Sequence, residues 1–148
     1  MNTPSLRKLE RDLQRFIEAV QLIDSDYESV LDVGCRDKIL KDFIIKEAKY
    51  QGIDYKDSNE ILGHNLEYGI PFEDNSFDIV FTRYSFHHFL NVKKVFDEMR
   101  RVCTPGGKII VVDVALDDQH VKAYNHMEKL RDPSHTKALT FKEFSTLF

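Results

Sequence analysis

The sequence predicts an α/β fold built on a doubly wound, mostly parallel sheet. Two observations carry this. Short apolar runs alternate with stretches of helical periodicity from Ser29 to Leu116, and 109–112 is continuously apolar, as a strand covered by helices on both faces should be. The 148 residues, 42% hydrophobic and 31% charged, suit one domain with an ordinary core. Its expected parts are an N-terminal helix over 5–23, a sheet-forming core over 29–116 and a helical segment over 117–148.

Each element has its own signal. Leu6, Leu9, Leu13, Phe16, Ile17 and Val20 recur at three and four residues with Arg7, Lys8, Arg11 and Arg15 between them, which predicts an amphipathic helix packed on the edge of the domain. The run 29–35 reads as the first strand, ending in Gly34. Leu40, Phe43, Ile44 and Ala48 then predict a helix starting near Asp37 to Ile39. Strands follow over 50–55 and 61–66. The link between them is too short for a crossover helix, so either one tight turn bridges them or the third strand is vestigial. After the turn signal around Pro71 and Asn75, 77–82 predicts a central strand. Val92, Val95, Phe96, Met99 and Val102 share a helical face, and Thr104-Pro105-Gly106-Gly107 stops that helix. The fifth strand is expected over 108–116. Val121, Tyr124, Met127 and Leu130 mark a later helix, and the chain ends at Phe148 within another.

Composition excludes several classes. A net charge of −4 gives no electrostatic footprint for nucleic acid. Neither a signal core nor a run of about 20 apolar residues occurs, so no membrane partner and a cytoplasmic location are expected. Cys35 and Cys103 make no zinc or disulfide framework, and His64, His120, His126 and His135 lack metal-ligand spacing. Those four histidines are expected at the surface, and no metal is expected.

In open α/β sheets ligands bind at the carboxyl ends of the strands, which here means the turn after Gly34 and the tip of the second strand. Gly34 lets backbone approach a ligand, and Asp54, twenty residues on, can accept hydrogen bonds from both hydroxyls of a ribose. A tight turn with a capping aspartate would look the same. A hydride-transferring dehydrogenase shares this strand, turn and acid. It fails at Gly34-Cys35-Arg36-Asp37-Lys38-Ile39, which lacks the Gly-x-Gly-x-x-Gly of a dinucleotide turn.

Five blocks, in order, resemble class I methyltransferases of the type 11 group, which includes quinone C-methylating enzymes. They are Val30-Leu31-Asp32-Val33-Gly34-Cys35, Gly52-Ile53-Asp54, the stretch 70–80, Phe86-His87-His88-Phe89, and the stretch 99–108 ending in Thr104-Pro105-Gly106-Gly107-Lys108. The resemblance implies a Rossmann-like sheet of about five strands in order 3-2-1-4-5, lacking the family's usual last two strands. The chain is accordingly expected to be a single truncated domain over 1–148. The link from Asp54 to Asn65 resembles sugar- or cell-surface-associated members, whereas 82–88 and 130–135 resemble the quinone branch. Recombination of two branches or divergence would give that pattern.

The implied cofactor is S-adenosyl-L-methionine and the implied partner a small-molecule methyl acceptor. Asp32, Gly34 and Cys35 would surround the methionine part, Asp54 the ribose, Tyr55, Asn65 and Leu66 the adenine, and Thr82 and Arg83 the sulfonium. His87 and His88 would face the acceptor and are the candidate catalytic bases, since histidine titrates near working pH. The family has glycine where this chain has Arg36 and Lys38. A positive φ at 36 would cost about 1 kcal/mol or more and crowd the site, or Arg36 would pair with the cofactor carboxylate. The alternative function is a non-catalytic cofactor-binding or structural fragment. A fifth strand without its usual neighbours would expose an apolar edge. A homodimer through that edge, or cover from 117–148, is expected.

Overall fold

The computed structural model describes residues 4–23, 26–36, 38–44 and 46–148, with side chains from Glu10 onward. Its central sheet is parallel, in order β3-β2-β1-β4-β5, from β1 (Ser29–Val33), β2 (Lys49–Asp54), β3 (Ile61–Gly63), β4 (Phe77–Arg83) and β5 (Cys103–Val112). Side chains alternate between two faces. On one, Leu31, Val33, Ile53 and Val80 pack with Val95, Phe96 and Met99 of α2 (Val92–Val102). On the other, Val30, Ile79, Phe81 and Ile110 pack with Phe16 and Ala19 of α1 (Pro4–Val20). Helices therefore cover both faces, as the apolar strands require. Among the described residues no helix is long and apolar enough to cross a membrane.

The expected helix after β1 shrinks to one 3-10 turn, Ile39–Phe43, and Asp37 lies outside the described residues. Tertiary contacts override the weak helical pattern. Leu40 is buried, Phe43 meets Phe16 edge-on at 5.1 Å, and Lys38 and Lys41 reach across to Glu60. Lys38, left-handed at φ 56, starts the turn and extended Ile44 ends it. So short a turn offers no aligned helix amides to a ligand.

β3 is three residues long, and a tight connection with a Ser58–Ile61 bridge links it to β2 in place of a crossover helix. α2 ends at Val102, as the Thr-Pro-Gly-Gly stop predicts, yet β5 begins at once. Its pairing jumps from Phe77–Cys103 to Ile79–Lys108, so the stop residues form an irregularity inside the strand. β5 also ends early, at Val112. The Asp113 carboxylate accepts from the amides of Phe86 and Val114 (2.8 Å each), which turns the chain out of the sheet. Ala115–Leu116 becomes β6, paired with β7 (Leu139–Thr140) in a separate two-stranded sheet.

Residues 117–148 add α3 (Val121–Arg131) and α4 (Phe141–Leu147), the latter opened by a Thr140–Glu143 capping box. Phe144 and Leu147 pack on the α2 face, and Phe148 meets Phe96 at 4.8 Å. This segment covers a face of the sheet. Among the described residues no strand pairs with the outer edge of β5.

Candidate functional site

Register places the carboxyl ends of three strands side by side. Val33 pairs with Ile53 on β2 and with Thr82 on β4, so Gly34, Asp54 and Arg83 emerge together. Gly34 has φ +68 and donates to Ile53 O at 2.8 Å. A Cβ here would stand 2.1 Å from Ser85 Oγ and 2.9 Å from Ser85 Cβ, so glycine is required both by conformation and by the approach of the chain leaving β4. The same turn forces positive φ on Arg36 (41°) and Lys38 (56°), the two places where glycine is missing. Their strain has partners. The Arg36 amide donates to Asp54 Oδ2 at 2.6 Å, and Lys38 Nζ donates to Asn59 O at 2.9 Å.

Asp54 Oδ1 also accepts from the amide of Tyr55 (2.7 Å), which orients the carboxylate across the strand tips and leaves it lone pairs for further donors. The Tyr55 ring is 74% exposed beside it. The His64 amide donates to Asp54 O (2.7 Å), bringing the β3 end alongside. There Asn65 caps a 3-10 turn by accepting from Glu67 N (3.0 Å), and Leu66 is buried in the core.

Asp32 and Cys35 turn inward. Asp32 is 4% exposed and accepts the Tyr50 hydroxyl at 2.6 Å. Burial and the Asp32 charge push the Tyr50 hydroxyl well above its usual range. Burial, with Asp32 and Asp54 adding to it, pushes the Cys35 thiol up to about 12, so it is no nucleophile. Thr82 is 1% exposed, and its Oγ1 lacks a partner among the described residues. Arg83 lays its guanidinium over the Phe16 ring at 5.1 Å, tying α1 to the rim, as does the 3.4 Å contact of Tyr84 with Asp12.

The two candidate bases differ. His87 Nδ1 lies 3.0 Å from Asp113 Oδ1, whose side chain is only 2% exposed. His88 Nδ1 faces Ser134 O and Oγ at 3.1 Å, with no carboxylate bonded to it among the described residues. His135, expected at the surface, is 2% exposed. Its ring stacks on His87 (5.6 Å), and its Nε2 bonds Asn125 Oδ1 at 2.7 Å. The 132–136 loop folds back onto 87–89, where Thr136 bonds His87 O, so the histidine is carried inward. Burial, with the neighbouring His87 adding to it, lowers the His135 pKa. Asp113, Ser85 and Asn125 were not foreseen. Asp113 alone had a signal, an acid directly after an apolar strand whose tip belongs to the ligand end of the sheet.

Among the described residues no group of three or more His, Cys, Asp or Glu side chains could hold a metal ion. Two surface depressions, beside Asp78 and Pro105 and beside Arg100 and Phe148, lie at the opposite, amino end of β4 and β5. They have no part in this site.

The methyltransferase domain family of type 11 matches residues 31–111, more than half of the chain, and the protein belongs to it. The uncharacterized methyltransferase YcgJ of Bacillus subtilis is 40% identical over 81 residues, which are 53% of this chain and 32% of that protein. The chain thus aligns with about a third of that relative's length. The solved structure of YcgJ superposes at TM-score 0.75 with 24% identity, covering 93% of this chain and 66% of that one. An S-adenosylmethionine-dependent methyltransferase from Archaeoglobus fulgidus superposes at 0.67 with 16% identity over 95% and 66%. These likenesses confirm the five-stranded Rossmann-like architecture.

Proposed function

We propose that the chain binds S-adenosyl-L-methionine at the carboxyl ends of β1, β2 and β4 and transfers its methyl group to a small-molecule acceptor. The observation that carries this is the convergence of the Gly34 turn, the Asp54 carboxylate and the partnerless Thr82 hydroxyl on one edge of a type 11 methyltransferase sheet. These residues fit the cofactor. A buried hydroxyl without a hydrogen bond suits a polar ligand atom, and a carboxylate held by two backbone amides suits a ribose diol. Asp54 would hold the ribose and Tyr55, Asn65 and Leu66 border the adenine. Gly34, with Asp32 and Cys35 behind it, would shape the methionine turn, and Arg36 would meet the carboxylate. Thr82 and Arg83 would border the reactive end.

The bound group supplies an electrophilic methyl on a sulfonium. The chain's own residues orient the acceptor against it, exclude water and accept a proton where one must leave. His87, bonded to Asp113 just past β5, and His88 beside it would take that last role. The net charge of −4 and the sparse cysteines support action in the cytoplasm without a nucleic-acid partner.

Calorimetric titration with S-adenosylmethionine and S-adenosylhomocysteine, with Asp54→Ala as control, tests the reading. Binding that the substitution abolishes is expected. No binding at millimolar ligand by a folded chain would refute the reading and favour a structural fragment that has lost the cofactor site.

A further inference from the structure

Resting on the methyltransferase reading above for what the site does, we propose that residues 117–138 form a lid over the carboxyl ends of β4 and β5. Neutral His135 latches it, and a second proton on that imidazole releases it.

The segment has the build of a lid. Its base is pinned where β6 (Ala115–Leu116) pairs with β7 (Leu139–Thr140), so the chain between them leaves the body and returns to the same place. No residue of α3 is buried. From Asp117 to Lys137 the one buried side chain is His135, at 2% exposure. Apart from the Lys137–Glu143 pair at the base, the lid's hydrogen bonds to the body all end on 87–89 among the described residues. Thr136 N and Lys137 N donate to His87 O, the Thr136 hydroxyl stands between His87 O and Phe89 O (2.7 and 2.8 Å), and Ser134 meets His88. A segment with so few buried groups opens as a unit when its plug is loosened.

The plug fits only while neutral. Asn125 Nδ2 donates to Ala138 O (3.5 Å) and Asn125 Oδ1 accepts from Ala138 N (2.7 Å), which fixes the amide. His135 Nε2, 2.7 Å from the same oxygen, therefore carries a hydrogen, and a second proton must go to Nδ1, which has no hydrogen-bond partner among the described residues. The resulting cation would stack on His87 at 5.6 Å, itself 4.1 Å from His88, with the Lys129 ammonium on the His135 carbonyl at 2.9 Å. Glu128 and Asp132 pull the other way, but both are engaged, Glu128 by Arg131 (2.5 Å) and Asp132 by the amide and hydroxyl of Ser134. Asp113 is bonded to His87, and the Tyr124 ring meets His135 edge-on at 6.2 Å. Burial, ahead of His87, accordingly lowers the His135 pKa. With the lid open the imidazole is in water and titrates near 6.5. Closing is therefore strongest above that value and weakens as pH falls below it, by at most about tenfold per unit, until the lowered closed-state value is reached. At neutral pH the lid shuts water out of the strand ends, and in mild acid it loosens.

Hydrogen exchange with millisecond labelling reads the lid directly, each rate being divided by its intrinsic value at the same pH. Protection of the Thr136, Lys137 and Ala138 amides should fall about three- to tenfold from about pH 7.5 to about pH 5.5, while the Leu31 and Val80 amides keep theirs. A smaller fall in the lid, or one shared by Leu31 and Val80, overturns the proposal. His135→Gln, whose amide can still donate to Asn125 and cannot titrate, should give equal protection at both pH values; a fall like that of the wild type overturns it too. Should that variant not fold, nitrogen–proton NMR of the wild-type imidazoles decides. His135 with hydrogen on Nε2 and titrating below 6.5 supports the latch, and hydrogen on Nδ1, or titration at or above 6.5, overturns it. Titration with S-adenosylhomocysteine at about pH 7.5 keeps the two readings apart. A folded chain that fails to bind it refutes the methyltransferase reading, whereas the lid stands or falls on exchange alone.

Discussion

Replacing Gly34 by alanine tests whether the turn after β1 is fixed by conformation, by crowding or by both. The backbone term comes from φ +68, where an L-residue costs about 1–2 kcal/mol. Removing glycine from the unfolded chain returns about 0.4–1 kcal/mol. The crowding term comes from Ser85. Its Oγ, 2.1 Å from the new Cβ, can rotate away at little loss, because its bonds to Gly34 O (3.4 Å) and Arg83 O (3.3 Å) are long. Its Cβ, 2.9 Å away, moves only with the backbone, and such overpacking costs about 1–3 kcal/mol. Gly34→Ala should therefore destabilise by about 2–4 kcal/mol. Ser85→Gly removes both obstructing atoms, so in that background the same change should cost only about 1 kcal/mol, a coupling of about 1–3 kcal/mol. Urea unfolding followed by far-ultraviolet circular dichroism and tyrosine fluorescence measures all four corners, the chain having six tyrosines and no tryptophan. A Gly34→Ala cost below about 1 kcal/mol, or equal costs in both backgrounds, would refute the reasoning.

The other predictions concern the scaffold, the titrating core, the turn and the edge. Arg101 donates to Ile70 O, Phe72 O, Asp74 and both oxygens of Glu98, bolting the chain before β4 to α2. Arg101→Lys, which cannot fork, should lower urea stability by about 2 kcal/mol, since the exposed Asp74 arm adds little. Because burial raises the Cys35 and Tyr50 pKa values, the folded state keeps protons that the unfolded state loses. Their contribution is complete below the ordinary thiol value of 9.0 and is lost as pH rises through the folded values. Urea midpoints should therefore fall above about pH 9, and less steeply in Cys35→Ala. Arg36→Gly relieves φ 41 while keeping the amide bond to Asp54. By thermal unfolding it should stabilise the free chain by up to about 1 kcal/mol, yet in calorimetry it should weaken S-adenosylhomocysteine binding through loss of a carboxylate partner. At the open edge of β5 we expect a homodimer in sedimentation with slow amide exchange over 109–115. A monodisperse monomer with rapid exchange there would refute it.

What the sequence reveals here is what neighbouring residues decide. The apolar runs of β1, β4 and β5 announce buried parallel strands, and the five-strand order follows from the family blocks they belong to. Gly34 and Asp54 could be paired in advance because one strand–turn–strand unit in fixed register holds them both. The helix after β1 fails for the converse reason. Its pattern is local, while the forces on it, from Phe16, Asn59 and Glu60, come from elsewhere in the chain and are stronger.

The carboxyl end of the sheet shows the same division more sharply. His87 was visible as a histidine beside a strand end, but nothing local separates it from His88. The distinction lies in Asp113, 26 residues later, and in His135, which a loop from the far end of the chain folds inward. Asp113 does two things at once. By accepting the Phe86 and Val114 amides it ends β5 and sends the chain toward β6, and the same carboxylate meets the His87 ring. The residue that terminates a strand is thus the residue that holds the His87 ring. That coupling explains why the strand stops at Val112 although the sequence stays apolar to Leu116, with only Asp113 interrupting. Asp113→Asn, which keeps one acceptor oxygen, should accordingly disturb the imidazole before it disturbs the sheet.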